Sequence, residues 1–158
     1  MAETSAGILL FRRQSRLEVF LGHMGGPFWR GKDAAAWSIP KGTFIEGEEH
    51  PLAAARREFA EEIGRPAPQV DYVELGRFRY ASGKLVTVFA GESDFDADDV
   101  RSNLFEIEWP PRSGRRQSFP ELDAAGWFTL DDAAERLVKG QRPALDALAR
   151  LVEPAAAE

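Results

Sequence analysis

The chain contains no cysteine, and only two of its 158 residues are histidine. The lack of cysteine excludes disulfide bonds, a thiolate nucleophile and any zinc site built on cysteine ligands. Long apolar runs are missing too, because none approaches the roughly 20 residues that a membrane-spanning helix needs. The N-terminal sequence MAETSAG lacks the basic and then apolar stretches of a signal peptide. These absences favour a cytoplasmic protein with no membrane partner.

An excess of basic residues is also absent. Lysine and arginine number 20 against 26 acidic residues, which gives a formal net charge of −6 at pH 7. This balance argues against a protein that binds nucleic acid. It does not argue against a nucleotide substrate, because a bound cation and a few arginines reverse the local sign of the charge.

Strand and helix patterns alternate along the chain. Apolar alternation and helical periodicity predict strands at 5–11, 17–21, 37–40, 72–80, 84–90, 103–109 and 125–130, and helices at 51–63, 131–138 and 143–152. Residues 110–117 (PPRSGRRQ) are interpreted as a basic loop. We therefore expect one α+β domain over 1–158, an α/β/α sandwich with a mixed sheet. Its core spans about 5–152, and residues 153–158 form a frayed tail.

The most informative stretch is 40–64, a glycine-broken loop followed by a helix between a proline and a glycine. Glu58, Glu61 and Glu62 are three or four positions apart, or adjacent, and are neighbours on this helix. Two interpretations of like charges this close remain open. One is an ordinary solvated face offset by nearby arginines. The other is a site for a hard divalent cation such as Mg²⁺, held together with substrate phosphates.

Residues 57–64 (REFAEEIG) resemble the core of the Nudix box, G-x5-E-x7-R-E-U-x-E-E-x-G-U, where U is apolar. Glu49 lies eight residues before the arginine of this core, as the box requires of its first glutamate. The box glycine is expected at Thr43, whereas the nearest glycine is Gly42, so the loop is one residue longer; Arg65 occupies the last apolar position. The chain is identified as a member of the Nudix family, which has an α/β/α sandwich fold and hydrolyses nucleoside diphosphates linked to another group.

The resemblance implies a role for each matching position. The residues that it implies as ligands of Mg²⁺, or of Mn²⁺ in its place, are Glu58, Glu61, Glu62, Glu121 and Gly42 through its carbonyl. Arg57 is implied to position the carboxylates through charge-assisted hydrogen bonds, and Glu49 to support the site. In this chemistry the cation neutralises phosphate charge and lowers the pKa of a bound water, and a carboxylate takes the proton. The residues implied in catalysis are Glu58, Glu61, Arg57 and Glu121.

The general base is expected on a loop late in the chain, as in several members of the family. Glu121 stands in the sequence PELD before a strand that contains tryptophan, and this resembles the late-loop pattern of some Nudix pyrophosphohydrolases. Glu106 and Glu108 are the alternatives. The simplest competing interpretation makes Glu121 a residue of a surface turn.

The long, glycine-rich loop at 23–36 carries Trp29 and Arg30. These residues suit stacking on a base and contact with a phosphate. A surface loop packed on its own aromatic side chains is the equally weighted alternative. Lys41, beside the loop glycine, is a further candidate for contact with a phosphate.

Two features resemble the diadenosine polyphosphate hydrolases. They are Tyr80, sixteen residues past Gly64, and the sequence WSIPKG at 37–42; cross-strand packing is the alternative role of Tyr80. The predicted substrate is therefore a dinucleoside polyphosphate or a (d)NTP, followed by ADP-ribose or another nucleotide-sugar. A non-catalytic Nudix domain that only binds a nucleotide is the alternative from another class. The protein is expected to be a monomer or a homodimer with a small-molecule nucleotide as its partner.

Overall fold

The computed structural model describes residues 4–98 and 100–152, so the tail predicted at 153–158 lies outside the described residues. The described strands are Thr4–Arg13 (β1), Leu17–Met24 (β2), Trp37–Ser38 (β3), Lys41–Thr43 (β4), Val73–Arg79 (β5), Leu85–Glu92 (β6), Leu104–Glu108 (β7), Arg116–Pro120 (β8) and Leu122–Thr129 (β9). The described helices are Pro51–Ile63 (α1), Leu130–Arg136 (α2) and Pro143–Val152 (α3), with a short 3-10 helix at Lys139–Gln141. None of these helices is long and apolar enough to cross a membrane.

One mixed sheet organises the molecule. Its strands follow the order β3-β2-β1-β6-β5, while β4 also pairs with β1, and β9 with β2. The β1–β6 pair is parallel, whereas the other described pairs of this sheet are antiparallel. Strands β7 and β8 form a separate antiparallel hairpin. The predicted α+β class with a mixed sheet is confirmed.

Both faces of the central strands are buried, because successive side chains of β1 and β2 alternate between two cores. The core under α1 includes Ala6, Ile8, Leu10, Phe20, Phe59 and Ile63. The core under α2 and α3 includes Leu9, Phe11, Val19, Leu21, Ala133, Leu145 and Leu148. Helices therefore cover both faces of the sheet, which confirms the α/β/α sandwich.

Helix α1 has the predicted bounds, and hydrogen bonds close both of its ends. His50 is an uncommon cap residue, yet its Nδ1 accepts a hydrogen bond from the N–H of Leu52 at 3.2 Å. Gly64 has a φ of 88°, and its N–H donates to the carbonyl of Ala60 at 2.9 Å. A left-handed backbone conformation at the end of a helix favours glycine. The helix that carries the glutamates thus has fixed ends.

Two strands were not predicted from the sequence. Residues 116–120 form β8, where a basic loop was predicted up to residue 117. The first three residues of β8 are polar and exposed, so no apolar alternation marks them, and their strand form depends on pairing with β7. An ion pair between Arg116 and Glu106, 2.6 Å long, joins the two strands. The three residues of β4 were predicted as part of the loop before α1. They form a strand because they pair with β1.

Gln141 is fully buried, yet its amide is hydrogen-bonded at both ends. Its Oε1 accepts from the N–H of Ile39 at 2.7 Å, and its Nε2 donates to the hydroxyls of Ser38 at 3.0 Å and Tyr80 at 2.8 Å. The ring of Tyr80 also packs on Gly140, where a Cβ would lie 2.3 Å from the ring. This network ties β3 to the 3-10 helix and to the end of β5.

We predict that Gln141→Leu lowers the free energy of unfolding by about 1–3 kcal/mol, because the buried N–H of Ile39 loses its acceptor. Tyr80→Phe is the matched control, since it removes one hydroxyl at the edge of the same network and costs about 1 kcal/mol or less. Urea unfolding followed by circular dichroism measures both. A smaller loss in Gln141→Leu than in Tyr80→Phe would contradict this account.

Candidate active site

Arg57 links the loop before α1 to the glutamates of the helix. Its Nε and Nη2 donate to the two carboxylate oxygens of Glu49 at 3.0 and 2.9 Å. Its Nη1 donates to Glu58 at 2.5 Å and lies 3.7 Å from a carboxylate oxygen of Glu61. The hydrogen bonds with Glu49 lower the pKa of that carboxyl and, with a smaller contribution from Glu58, raise the pKa of Arg57. One guanidinium therefore orients three carboxylates.

Glu58 packs directly on the backbone of Gly42. A Cβ at position 42 would lie 1.8 Å from Oε1 of Glu58, so a side chain other than hydrogen displaces the carboxylate. Partial burial raises the pKa of Glu58, and the neighbouring Glu61 carboxylate adds to the rise. The hydrogen bond from Arg57 acts in the opposite direction and lowers this pKa. Gly42 thus provides the space in which this carboxylate sits.

Glu62 is hydrogen-bonded to β4. Its Oε1 accepts a hydrogen bond from the backbone N–H of Lys41 at 3.0 Å. Burial raises the pKa of Glu62 to about 8, although Lys41 acts in the opposite direction, and the Glu121 carboxylate contributes to the rise. Strand β4 brings Lys41 here because it pairs with β1, where Lys41 lies opposite Gly7.

A series of backbone hydrogen bonds holds Glu121 near the end of α1. The N–H of Asn103 donates to the carbonyl of Glu61 at 2.8 Å, in the last turn of α1. The carbonyl of Asn103 in turn accepts from the N–H of Glu121 at 2.9 Å, and the carbonyl of Glu121 accepts from the N–H of Gly25 at 2.9 Å. Glu121 is therefore held by its main chain between the helix and the glycine-rich loop.

A recess of about 250 Å³ opens between these elements. We call it the Trp29 slot. Its lining residues are Met24, Gly25, Trp29, Lys41, Glu62, Phe105, Glu121 and Leu122. The lining combines apolar and aromatic residues with one lysine and two carboxylates. A second, open cleft on the Arg57 side of α1 is lined by Thr43, Phe44, Ile45, Glu48, Glu49 and Arg57.

The donors on this face of α1 suit a hard divalent cation. Glu58, Glu61 and Glu62 supply carboxylate oxygens, the ligands that Mg²⁺ prefers. The raised pKa values of Glu58 and Glu62 indicate that their charged forms are disfavoured, and a cation would offset this. Within residues 4–98 and 100–152, no group of three or more acidic or histidine side chains is close enough to hold a metal ion. The carboxylates of Glu58, Glu61 and Glu62 would therefore have to turn toward a bound cation.

The structure brings some of the sequence-predicted substrate residues together and separates others. Trp29 lines the slot. Arg30 is exposed and is not among the described residues that line it. Tyr80 packs in the core on the opposite face of the sheet from α1, as the alternative interpretation had it. Glu106 and Glu108 accept hydrogen bonds from within their own hairpin, at 2.6 and 2.7 Å.

Sequence reasoning missed Phe105 as a residue of the site. It lies in β7, a strand that was predicted, and its neighbours Leu104 and Glu106 are exposed whereas Phe105 is half-buried. Alternation could have identified the inward side of this strand. Alternation could not have shown that Phe105 lines the slot, because only tertiary contacts bring β7 to the slot.

Comparison with known proteins agrees with the predicted family. The family model for the NUDIX domain matches residues 1–148 of the chain. A 17.7 kDa protein from the e-segB intergenic region of Enterobacteria phage T4 is 32% identical over 125 residues, which cover 78% of this chain and 80% of that protein. The chain therefore belongs to the Nudix hydrolase family.

Solved structures share the same fold. An Ap4A hydrolase of C. elegans, in a binary complex, superposes with a TM-score of 0.67 at 19% identity, covering 95% of this chain and 98% of that chain. The NUDIX domain of Shewanella oneidensis NrtR, complexed with ADP ribose, superposes with a TM-score of 0.59 at 18% identity, covering 96% of this chain and 88% of that chain. Identities this low bear on the fold alone.

We predict that the metal-free protein loses stability as the pH rises from about 4.5 to about 8. Glu62 keeps its proton in the folded state up to a pKa of about 8, whereas an unfolded chain releases it near the ordinary value of 4.5. Between these values the folded state binds more protons, so the free energy of unfolding falls with pH, by an amount on the order of a few kcal/mol. Glu62→Gln removes this fall. Urea unfolding in EDTA measures it, with the exposed Glu48→Gln as control; parallel pH profiles in wild type and Glu62→Gln would contradict it.

We predict that Gly42→Ala abolishes most metal binding while leaving the fold intact, because its Cβ displaces the flexible Glu58 carboxylate and not the backbone. Gly140→Ala is the matched control: its Cβ meets the core ring of Tyr80, far from the glutamates, and lowers thermal stability instead. Calorimetric titration with Mg²⁺ or Mn²⁺ and thermal unfolding separate the two effects. Unchanged metal affinity in Gly42→Ala would exclude this role for the glycine.

Proposed function

We propose that this protein is a Mg²⁺-dependent hydrolase that cleaves a pyrophosphate linkage in a nucleoside diphosphate-linked substrate. The observation that carries the proposal is the convergence of Glu62, Glu121 and Lys41 at one slot beside the Arg57-bound glutamates of α1. A largely buried carboxylate with a raised pKa, that of Glu62, in a recess that also has aromatic residues is typical of a functional site. Membership of the Nudix hydrolase family supports the same reaction.

The ligands that we propose for Mg²⁺ are Glu58, Glu61, Glu62, Glu121 and the carbonyl of Gly42; Mn²⁺ suits the same oxygens. When bound, the cation supplies neutralisation of phosphate charge and a water of lowered pKa. Arg57 orients Glu58 and Glu61 through its hydrogen bond and its ion pair.

We propose Glu121 as the group that takes the proton from the attacking water. Its main chain is held on both sides, and its side chain lines the slot together with Glu62. Glu106 and Glu108 are poorer candidates, since each already accepts a hydrogen bond within the β7–β8 hairpin. A positioned carboxylate is the usual form of such a base.

For the substrate, we propose that Lys41 contacts a phosphate and Trp29 the base, with Arg30 at the exposed rim. Tyr80 is not retained, because it packs in the opposite core. The WSIPKG sequence supports a dinucleoside polyphosphate or a (d)NTP as first choice, as does the likeness to an Ap4A hydrolase. ADP-ribose or another nucleotide-sugar is the second choice, supported by the likeness to a NUDIX domain complexed with ADP ribose. We expect the protein to act in the cytoplasm as a monomer or homodimer.

The test is hydrolysis of a substrate panel with Mg²⁺, with Mn²⁺ and with EDTA. The panel contains diadenosine polyphosphates, (d)NTPs including oxidised ones, ADP-ribose and a nucleotide-sugar, with products resolved by chromatography. We predict metal-dependent cleavage of one class, lost in Glu61→Gln and Glu62→Gln and retained in Glu48→Gln. Glu121→Gln lowers kcat by about 100-fold or more, as expected for loss of a general base.

Two results would overturn the proposal in different ways. Turnover that persists in EDTA and in Glu62→Gln would exclude the metal-dependent mechanism. Absence of turnover in a folded protein that binds a panel member would indicate a nucleotide-binding module, the alternative from a different class.

A further inference from the structure

We infer that Trp29 and Phe105 form a base-tolerant stacking site in the Trp29 slot. The site takes the flat heteroaromatic ring of a nucleotide of any base and does not select among bases. This inference rests on the proposed function for its ligand class, a nucleotide, and Phe105 is the residue that it adds.

Gly26 lies beside both aromatic residues. The N–H of Trp29 donates to the carbonyl of Gly26 at 3.3 Å, within one turn of the glycine-rich loop. The ring of Phe105 lies on the same glycine, where a Cβ would be 2.8 Å from Cζ, and the φ of 98° there also favours glycine. Both side chains line the slot although they are far apart in sequence.

Contacts outside the slot hold these two residues in place. A Cβ at Gly25 would lie 2.0 Å from the carbonyl oxygen of Pro120, so the loop and the end of β8 meet backbone to backbone. Phe28 contacts Trp109 edge to face, with ring centroids 5.3 Å apart. The glycine-rich loop and the β7–β8 hairpin are thus joined at two places, and the two aromatic residues are positioned before a ligand binds.

The slot combines apolar and charged residues. Met24, Leu122, Trp29 and Phe105 supply apolar surface, and Lys41, Glu62 and Glu121 supply charge. A flat ring suits the apolar residues, and phosphates with their cation suit the charged ones. A nucleotide has both parts in one molecule.

The charged side chains of the slot belong to Lys41, Glu62 and Glu121, which the proposed function assigns to the phosphates and the cation and not to the base. No asparagine, glutamine, serine or threonine is among the described residues that line it. Six of the eight lining residues have a backbone N–H that already donates to a protein atom; they are Met24, Gly25, Trp29, Lys41, Glu121 and Leu122. Stacking accepts every base because each has a π face, whereas strong discrimination needs hydrogen bonds in the site.

The experiment measures binding without turnover. The α,β-methylene diphosphates of adenosine, guanosine, cytidine and uridine, whose single P–O–P linkage is replaced by a methylene bridge, are titrated calorimetrically into the full chain with Mg²⁺. We expect the four dissociation constants to agree within about tenfold, since stacking tolerates every base. Trp29→Ala and Phe105→Ala should each weaken binding of all four by about 5- to 100-fold, whereas Phe105→Trp should retain it.

Phe119→Ala is the matched control. Phe119 pairs with Phe105 across the hairpin, with centroids 6.1 Å apart, but is not among the described residues lining the slot. Equal weakening by Phe119→Ala would attribute the effect to the hairpin as a whole and overturn the inference. Unchanged binding in Phe105→Ala, or a preference above about 100-fold for one base, would also overturn it.

The outcomes separate this inference from the proposed function. Slot-dependent binding of all four analogues without hydrolysis of natural substrates would refute the hydrolase and leave the stacking site established. Hydrolysis of natural substrates with a KM unaffected by Phe105→Ala would refute the stacking site and leave the hydrolase.

Discussion

Repulsion among the carboxylates of α1 is the constraint on which the site depends. Glu58, Glu61 and Glu62 share one helix surface, and like charges at such spacings disfavour the helix. The fold offsets the repulsion in two directions. Arg57 forms a hydrogen bond with Glu58 and an ion pair with Glu61, whereas the backbone N–H of Lys41 donates a hydrogen bond to Glu62. Burial, with a smaller contribution from neighbouring carboxylates, raises the pKa values of Glu58 and Glu62, and a divalent cation is the ligand that would favour their charged forms.

The sheet supplies the partners of these carboxylates. Strand β1 is buried on both faces, so it fixes α1 on one side and holds β4 along its edge. Through β4 it positions Lys41 and Gly42 beside the helix. Through β2 it positions β9, which begins just after Glu121. The glycine-rich loop leaves β2 and returns to β3, and it meets the β7–β8 hairpin at Phe105. Groups from five segments therefore surround one slot without a long insertion.

The extent to which the site could be predicted follows from the range of the interactions involved. Helix α1, its ends and its glutamates were predictable because capping and i, i+4 neighbours lie within a few residues. The extra loop residue does not break the contact that matters, since Arg57 still reaches Glu49. The sequence left two roles open for Tyr80, because the alternation of its strand does not identify which core a side chain enters. Strand β8 was missed because pairing, not pattern, makes it a strand.

The sequence by itself determined the family, the alternation that buries both faces of β1, and the helix that carries three glutamates and an arginine. These are local properties, set by period, capping and spacing. Only the tertiary structure decided that Glu62 accepts a hydrogen bond from Lys41, that Asn103 links Glu121 to the end of α1, and that Phe105 lines the same slot as the charged residues. Each of these depends on which strands pair and in what register, and burial of apolar side chains from the whole chain determines that choice.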